Sequence, residues 1–200
     1  MEKIVIVGGG GHAKVIASIL KKKGTFEILG YTDNQDCGLL LGIPYLGKDE
    51  VLPDLKARHG QCAAVLGIGY LGKGNLRERL ADTLVGLGFT MSAIVSPDAV
   101  INEEVEVNEG TVVMDGVVVN SGSRVGKYVI LNTRSSIDHD CEIGDGVQLG
   151  NNVLLAGHVA VGQNAIVNGA AAAHQFVTIG RNAYVGGLTR VIQDVPPFLI

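Results

Sequence analysis

Beyond residue 92 the chain keeps one pattern, an aliphatic residue at every sixth position. The series runs Val95, Ile101, Val107, Val113, Val119, Val125, Leu131, Ile137, Ile143, Leu149, Leu155, Val161, Val167, Ala173, Ile179, Val185 and Val191; Ala173 alone is not Val, Ile or Leu. The next position is usually small or turn-forming, as at Asn102, Asn120, Gly126, Gly144, Gly150 and Gly180. Two positions before each aliphatic a small or β-branched residue recurs, as at Val117, Cys141, Val153 and Ala165. A fixed short period without a slip marks a solenoid. Each hexapeptide predicts one flat side of a triangular coil, with the aliphatic inward and Gly or Asn taking a positive-φ corner. Residues 93–200 are therefore expected to form a parallel β-helix of roughly five coils. A β-sandwich would not hold phase over so many repeats.

Residues 1–92 follow a different rhythm. Lys3–Val7 is a short apolar run that ends in Gly8-Gly9-Gly10-Gly11. His12–Lys23 reads as a helix with Val15, Ile16, Ile19 and Leu20 on one face, and Phe26–Tyr31 as a second strand closed by Thr32-Asp33-Asn34. Tyr45 and Leu46 predict a short extended piece, Asp49–His59 a helix, and Ala63–Ile68 a buried strand. Asn75–Leu87 predicts another helix with Arg77, Glu78 and Arg79 outward, and Phe89–Ile94 a last strand. Strands alternating with helices indicate a small Rossmann-like parallel sheet, making the whole chain mixed α/β.

Composition narrows the function classes. Aromatic residues are 4% of the chain with no Trp, and Gly reaches 29 residues, which suits a core of small identical layers. A net charge of −4 gives no reason to expect nucleic acid or an anionic membrane as partner. No apolar run is long enough for a membrane span, and the N-terminus lacks the marks of a signal peptide. Cys37, Cys62 and Cys141 are odd in number and widely spaced, which predicts reduced thiols in a cytoplasmic protein, with no disulfide framework and no metal site.

Two stretches carry chemistry. Gly8-x-Gly10-x-x-Ala13, with Asp33 some twenty residues on, formally matches a dinucleotide fingerprint. A strand, a glycine turn and a helix N-terminus together cradle phosphate through backbone N–H groups. In the repeats, His139 follows the inward Ile137 by two positions, where a side chain leaves the wall. Its neighbour Asp140 can orient the ring and raise its basicity, which suits general base catalysis near neutral pH.

The repeat, the opening Val7–Val15 and the segment Asn132–Cys141 resemble the hexapeptide-repeat sugar O- and N-acetyltransferases of sialic acid and bacillosamine biosynthesis. That resemblance implies a left-handed β-helix, a homotrimer with active sites between neighbouring prisms, and transfer of acetyl from acetyl-CoA to an amine or hydroxyl of a nucleotide-linked sugar. It implies His139 as base with Asp140 as its tuner. It places the nucleotide-sugar on Gly10, Gly11, His12, Asp33, Asn34, Gly67, Ile68 and Gly69. Gln148, Gly169 and Gly187 are expected along the CoA arm, with Gln148 where the family often has histidine. Gly157, one coil after His139, offers a backbone N–H to the oxyanion, and His158 and His174 are candidates to line the same pocket. Leu155–Val159, Ala173–Phe176 and Gln193–Pro197 are also similar to the UDP-N-acetylglucosamine acyltransferase of lipid A synthesis, which implies a longer acyl group on acyl carrier protein as an alternative donor. That enzyme lacks a Rossmann half. A reading of another class also stands: an NAD-binding module on a trimerising stalk. Related chains run on past the apolar end Pro196–Ile200 through a further short segment.

Overall fold

The computed structural model describes residues 1–69 and 76–200. The chain divides into two compact units, Met1–Ile94 and Val95–Ile200, so the boundary falls two residues beyond the expected one.

In the first unit a parallel sheet has the order β3-β2-β1-β4, with β1 at Glu2–Val7, β2 at Phe26–Thr32, β3 at Tyr45–Gly47 and β4 at Ala63–Leu66. Ile4–Val7 and Ala63–Leu66 are buried throughout, as a strand covered on both faces requires. Helix α1, Gly11–Lys23, buries Ala13, Ile16, Ala17, Ile19 and Leu20, while Val15, expected on the same face, is exposed. The helix ends where Gly24 adopts φ 63°, and Lys21, Lys22 and Lys23 complement its C-terminal dipole. Asp49–His59 splits into a 3₁₀ turn, Asp49–Val51, and helix α2, Leu52–His59. Helix α3 runs from Leu76 to Gly86; the expected start at Asn75 lies outside the described residues. The expected strand Phe89–Ile94 keeps a bridge between Ala63 and Thr90 and, at its end, Ile94 in the two-residue strand Ile94–Val95. Its apolar residues Phe89 and Met91 are buried by packing rather than by ladder hydrogen bonds.

In the second unit, two-residue strands recur every six residues and stack into three parallel sheets. Each residue pairs with the one eighteen further on, Ser136 with Leu154 and Ile137 with Leu155, so three hexapeptides close one coil of a left-handed β-helix. The inward aliphatics form a continuous dry core: Val119, Val125, Leu131, Ile137 and Leu149 are all 0% exposed. Each such side chain contributes about 1.5–3 kcal/mol by leaving water. The last turn is shorter. Ile179 bridges Val195, and the Thr178 N–H is bound by Asp194, sixteen residues on.

The corners differ from expectation. Positive φ falls three positions after the inward aliphatic, at Gly116, Gly122, Tyr128, Arg134, Asp140, Gly146, Asn152, His158 and onward, mostly in residues with side chains. The glycines directly after the aliphatic are needed for another reason. A Cβ on Gly144 would meet the Gln163 backbone nitrogen at 2.7 Å, and one on Gly150 the Gly169 nitrogen at 2.6 Å. They are spacers that let successive coils approach.

The outer faces are unlike. One sheet presents Glu106, Arg124 and Glu142 as an exposed ion ladder, with Arg124 3.8 Å from Glu106 and 3.3 Å from Glu142. The next presents Val100, Val118, Ser136, Leu154, Ala172 and, at its end, Arg190, with Val100 and Leu154 about half exposed. His139 sits on the corner between these two faces.

Candidate active site

The corner 138–141 turns His139 and Asp140 outward. Asp140 stands at φ 55°, a left-handed conformation that a side chain resists, and its N–H is held by the Ser121 carbonyl at 3.1 Å. His139 Nδ1 lies 2.8 Å from Asp140 Oδ2. A carboxylate only accepts, so Nδ1 carries the hydrogen and Nε2 is left with its lone pair. The bond to Asp140 holds His139 above the usual imidazole pKa, with the charge of Asp138 adding to it. The ring is about half exposed.

The coil above completes the corner. A Cβ on Gly157 would sit 2.7 Å from both Cε1 and Nε2 of His139, so only glycine leaves the ring in place. His158 donates its backbone N–H to the His139 carbonyl at 3.0 Å and meets the His139 ring edge-on, with centroids 5.1 Å apart. His158 Nε2 lies 3.8 Å from the same Asp140 oxygen. On its far side His158 stacks flat on Phe176 at 4.7 Å. His139, Asp140 and His158 bring three polar side-chain atoms within 4.8 Å of one another on this corner.

Sequence reasoning passed over three residues here. Asp138 Oδ1 accepts both the His139 N–H at 2.8 Å and the Asn120 amide at 3.0 Å; Asn120 in turn binds Asn102 at 2.8 Å. Phe176 closes the ring stack. The three are Asp138, Asn120 and Phe176, and the eighteen-residue interval would have placed Asn120 below Asp138 and Phe176 above His158.

His174 is exposed on the same corner, above Ala156 and Asp138 and two positions before Phe176, and the remaining expected residues of this unit fall elsewhere. Gly169 and Gly187 stack on a different corner, a Cβ on Gly187 meeting the Gly169 carbonyl at 3.2 Å. Gln148 is on the adjoining sheet, paired with Ile130 and Ile166.

The glycine-rich loop of the first unit forms a second constellation. The sheet order reverses direction between β1 and β4, and the crevice outside their carboxyl ends is where open α/β sheets take ligands. Gly8, at φ 109°, packs against Gly67 and Ile68, and a Cβ on Gly67 would meet the Gly8 carbonyl at 2.7 Å. Gly9 donates to Asp33 Oδ2 at 2.6 Å. Gly10 and Gly11 face open space at the start of α1, whose first turn holds no acidic residue. Gly69 also faces open space, and Asn34 is exposed. His12 Nε2 is buried with no hydrogen-bond partner among the described residues. Burial, together with the Arg77 guanidinium, pushes His12 down to about 4, so it is neutral. Arg77 is turned in rather than outward as expected; it donates to the Ile68 carbonyl, and burial pulls it to about 10. The charge-assisted hydrogen bond to the strand-end carbonyl offsets part of the cost of burying the guanidinium.

Residues 3–84 match the PglD N-terminal domain family. A mutant perosamine N-acetyltransferase from Caulobacter crescentus, solved with CoA and GDP-perosamine, is 34% identical with a TM-score of 0.91, covering 98% of this chain and 91% of that one. The acetyltransferase domain of PglB from Neisseria gonorrhoeae, solved with acetyl coenzyme A, is 28% identical with a TM-score of 0.90, covering 98% and 94%. An acyl-[acyl-carrier-protein]–UDP-N-acetylglucosamine O-acyltransferase from Aliivibrio fischeri is 40% identical over 113 residues, 56% of this chain. The chain spans only 41% of that relative's length.

Proposed function

The chain belongs to the hexapeptide-repeat sugar acetyltransferases with a PglD-type N-terminal domain, and from that premise we propose that it transfers acetyl from acetyl-CoA to an amino group of a nucleotide-linked sugar. The observation that carries the reading is the His139–Asp140 pair, an oriented imidazole with a free Nε2 on an exposed solenoid corner.

The chemistry then follows. The sugar amine attacks the thioester carbonyl; a C–N bond forms, the C–S bond breaks, and CoA leaves as the thiolate. His139 Nε2 takes the amine proton, and Asp140 stabilises the imidazolium. The proton passes on to the departing sulfur. The Gly157 N–H is proposed as a donor to the developing oxyanion, with His158 beside it and Gln148, Gly169 and Gly187 along the CoA arm. In the first unit the open N–H groups of Gly10 and Gly11 at the α1 N-terminus suit the phosphates. The unpartnered His12 Nε2, Asp33, Asn34 and the 67–69 strand end suit the rest of the nucleotide. The apolar stretch of Val100, Val118 and Leu154 on one face supports a homotrimer, in which closed symmetry covers that stretch on every protomer. No helix among the described residues is long and apolar enough to cross a membrane, and cytoplasmic residence is part of the proposal.

The test is direct: nucleotide-linked 4-amino-sugars are supplied with acetyl-CoA or with acylated acyl carrier protein, and free thiol is followed. Thiol release with acetyl-CoA is expected. Release with the carrier protein alone would transfer the proposal to the long-chain donor, a reading that the Aliivibrio match favours over part of the chain. No release with either would remove the enzymatic reading.

A further inference from the structure

The corners of this solenoid close in two ways. At Asn132–Ser135 the Ser135 N–H donates straight to the Asn132 carbonyl at 3.0 Å, and at Gly162–Ala165 the Ala165 N–H reaches the Gly162 carbonyl at 3.1 Å. The corner bearing His139 and Asp140 is closed instead by a hydroxyl from the preceding coil. Ser123 donates to the Asp138 carbonyl at 2.7 Å and accepts the Cys141 N–H at 3.0 Å. Those two backbone groups bracket His139 and Asp140. Ser123 is 0% exposed, so water does not substitute for either bond.

The coil above repeats the arrangement with sulfur. Cys141 donates to the Ala156 carbonyl at 3.2 Å, on the corner bearing Gly157 and His158. Burial pushes the Cys141 thiol up, which keeps it protonated and able to donate. Thr111 makes the same bridge under a corner without candidate residues, to the Gly126 carbonyl at 2.7 Å and the Val129 N–H at 3.0 Å.

We propose that Ser123 is a positioning residue of the active corner: its buried hydroxyl, wedged between Asp138 and Cys141, sets the corner width at which the His139 ring meets the Asp140 carboxylate. The inference rests on the role assigned to His139 above. Without the hydroxyl the two backbone groups satisfy each other, as at Asn132–Ser135, and the corner tightens. Asp140, already in a left-handed conformation, then moves, and the bond to His139 lengthens. The titratable groups around the ring are Asp138 and Asp140 on its own corner and His158 above; Ser121 on the preceding coil and Gly157 on the next carry none.

The experiment compares Ser123→Ala, Ser123→Thr and Thr111→Val with the parent protein. The His139 imidazole is titrated by NMR without substrate, and kcat and KM for acetyl-CoA are measured alongside. Ser123→Ala lowers the His139 midpoint by about half a unit, because the bond that raises it is weakened. It lowers kcat roughly tenfold and leaves KM nearly unchanged. Ser123→Thr restores both values, since Thr111 shows that threonine makes this bridge. Thr111→Val loses thermal stability and moves neither reading. A folded Ser123→Ala protein with the parental midpoint and kcat overturns the proposal. Should that variant not fold, Ser123→Cys puts a longer bridge in its place, 3.2 Å to the carbonyl at Cys141 against 2.7 Å at Ser123, so the corner widens and the midpoint falls; an unmoved midpoint there overturns the proposal equally. The titration needs no turnover, so a displaced midpoint in a protein that transfers no acetyl sinks the reaction and leaves the positioning standing.

Discussion

Two histidines, one in each unit, show how little the residue type alone decides. His12 opens α1 with its Nε2 buried and without a hydrogen-bond partner among the described residues, and its pKa falls to about 4. His139 stands half exposed on a solenoid corner against a carboxylate, and its pKa rises. Burial without a partner stops a histidine from charging; an oriented acid beside an exposed ring makes charging easier. The first is suited to a neutral hydrogen bond with a ligand, the second to taking up a proton during a reaction.

Each side of this contrast can be attacked, beginning with the largest effect. His139→Ala lowers turnover by at least ~100-fold, the usual loss for a general base, as read from steady-state thiol release. Wild-type-like turnover would remove His139 from the mechanism. The second attack is on His12 and is read in stability. Its unfolded value is 6.5 and its folded value about 4, so acidification through that window favours the unfolded chain. Stability rises with pH between those values, and about 2 kcal/mol is lost by pH 5. Urea melts at a series of pH values should show this slope in the parent and its absence in His12→Asn; equal slopes would refute it. Third, Asp140→Asn removes the acceptor charge. Activity in the parent rises as pH climbs through the raised His139 pKa, and in this variant the rise moves toward lower pH while kcat at the plateau drops roughly tenfold. A pH profile that keeps its midpoint would show that Asp140 does not tune the ring. The smallest effect is expected from Thr111→Val, which tests whether a hydroxyl bridge matters where no histidine depends on it.

The two units also differed in how far they could be read in advance. In the solenoid each residue's neighbours lie eighteen positions away, so the aliphatic period carried fold, register and the outward setting of His139. The position of the positive-φ corners was hidden there, because Asp140, His158 and Phe176 adopt it without glycine, while Gly144 and Gly150 serve close approach. In the α/β unit, partners are chosen by packing between elements with no fixed interval. The start of α1 and the glycine turn were legible from local signals, but Asp49–His59 split in two, Arg77 turned inward and Phe89–Ile94 kept only a bridge at Thr90 and its last residue in a two-residue strand. Ser123 was missed for a related reason. It occupies an inward position where a small residue is expected, and nothing in the residue itself tells which corner its hydroxyl closes.

The eighteen-residue interval has a consequence for how such a chain can change. The three sides of the prism have interchangeable inward residues, so the solenoid behaves as a screw thread whose core does not distinguish one flank from the next. Deleting a single hexapeptide between Cys141 and Gly157 would bring aliphatic back onto aliphatic and leave the core filled. It would also rotate every later residue by a third of a turn, carrying Gly157 and His158 to another edge and leaving His139 alone on its own. Packing offers no proofreading against such a slip. The phase that unites His139 with Gly157 is therefore maintained by what that edge does.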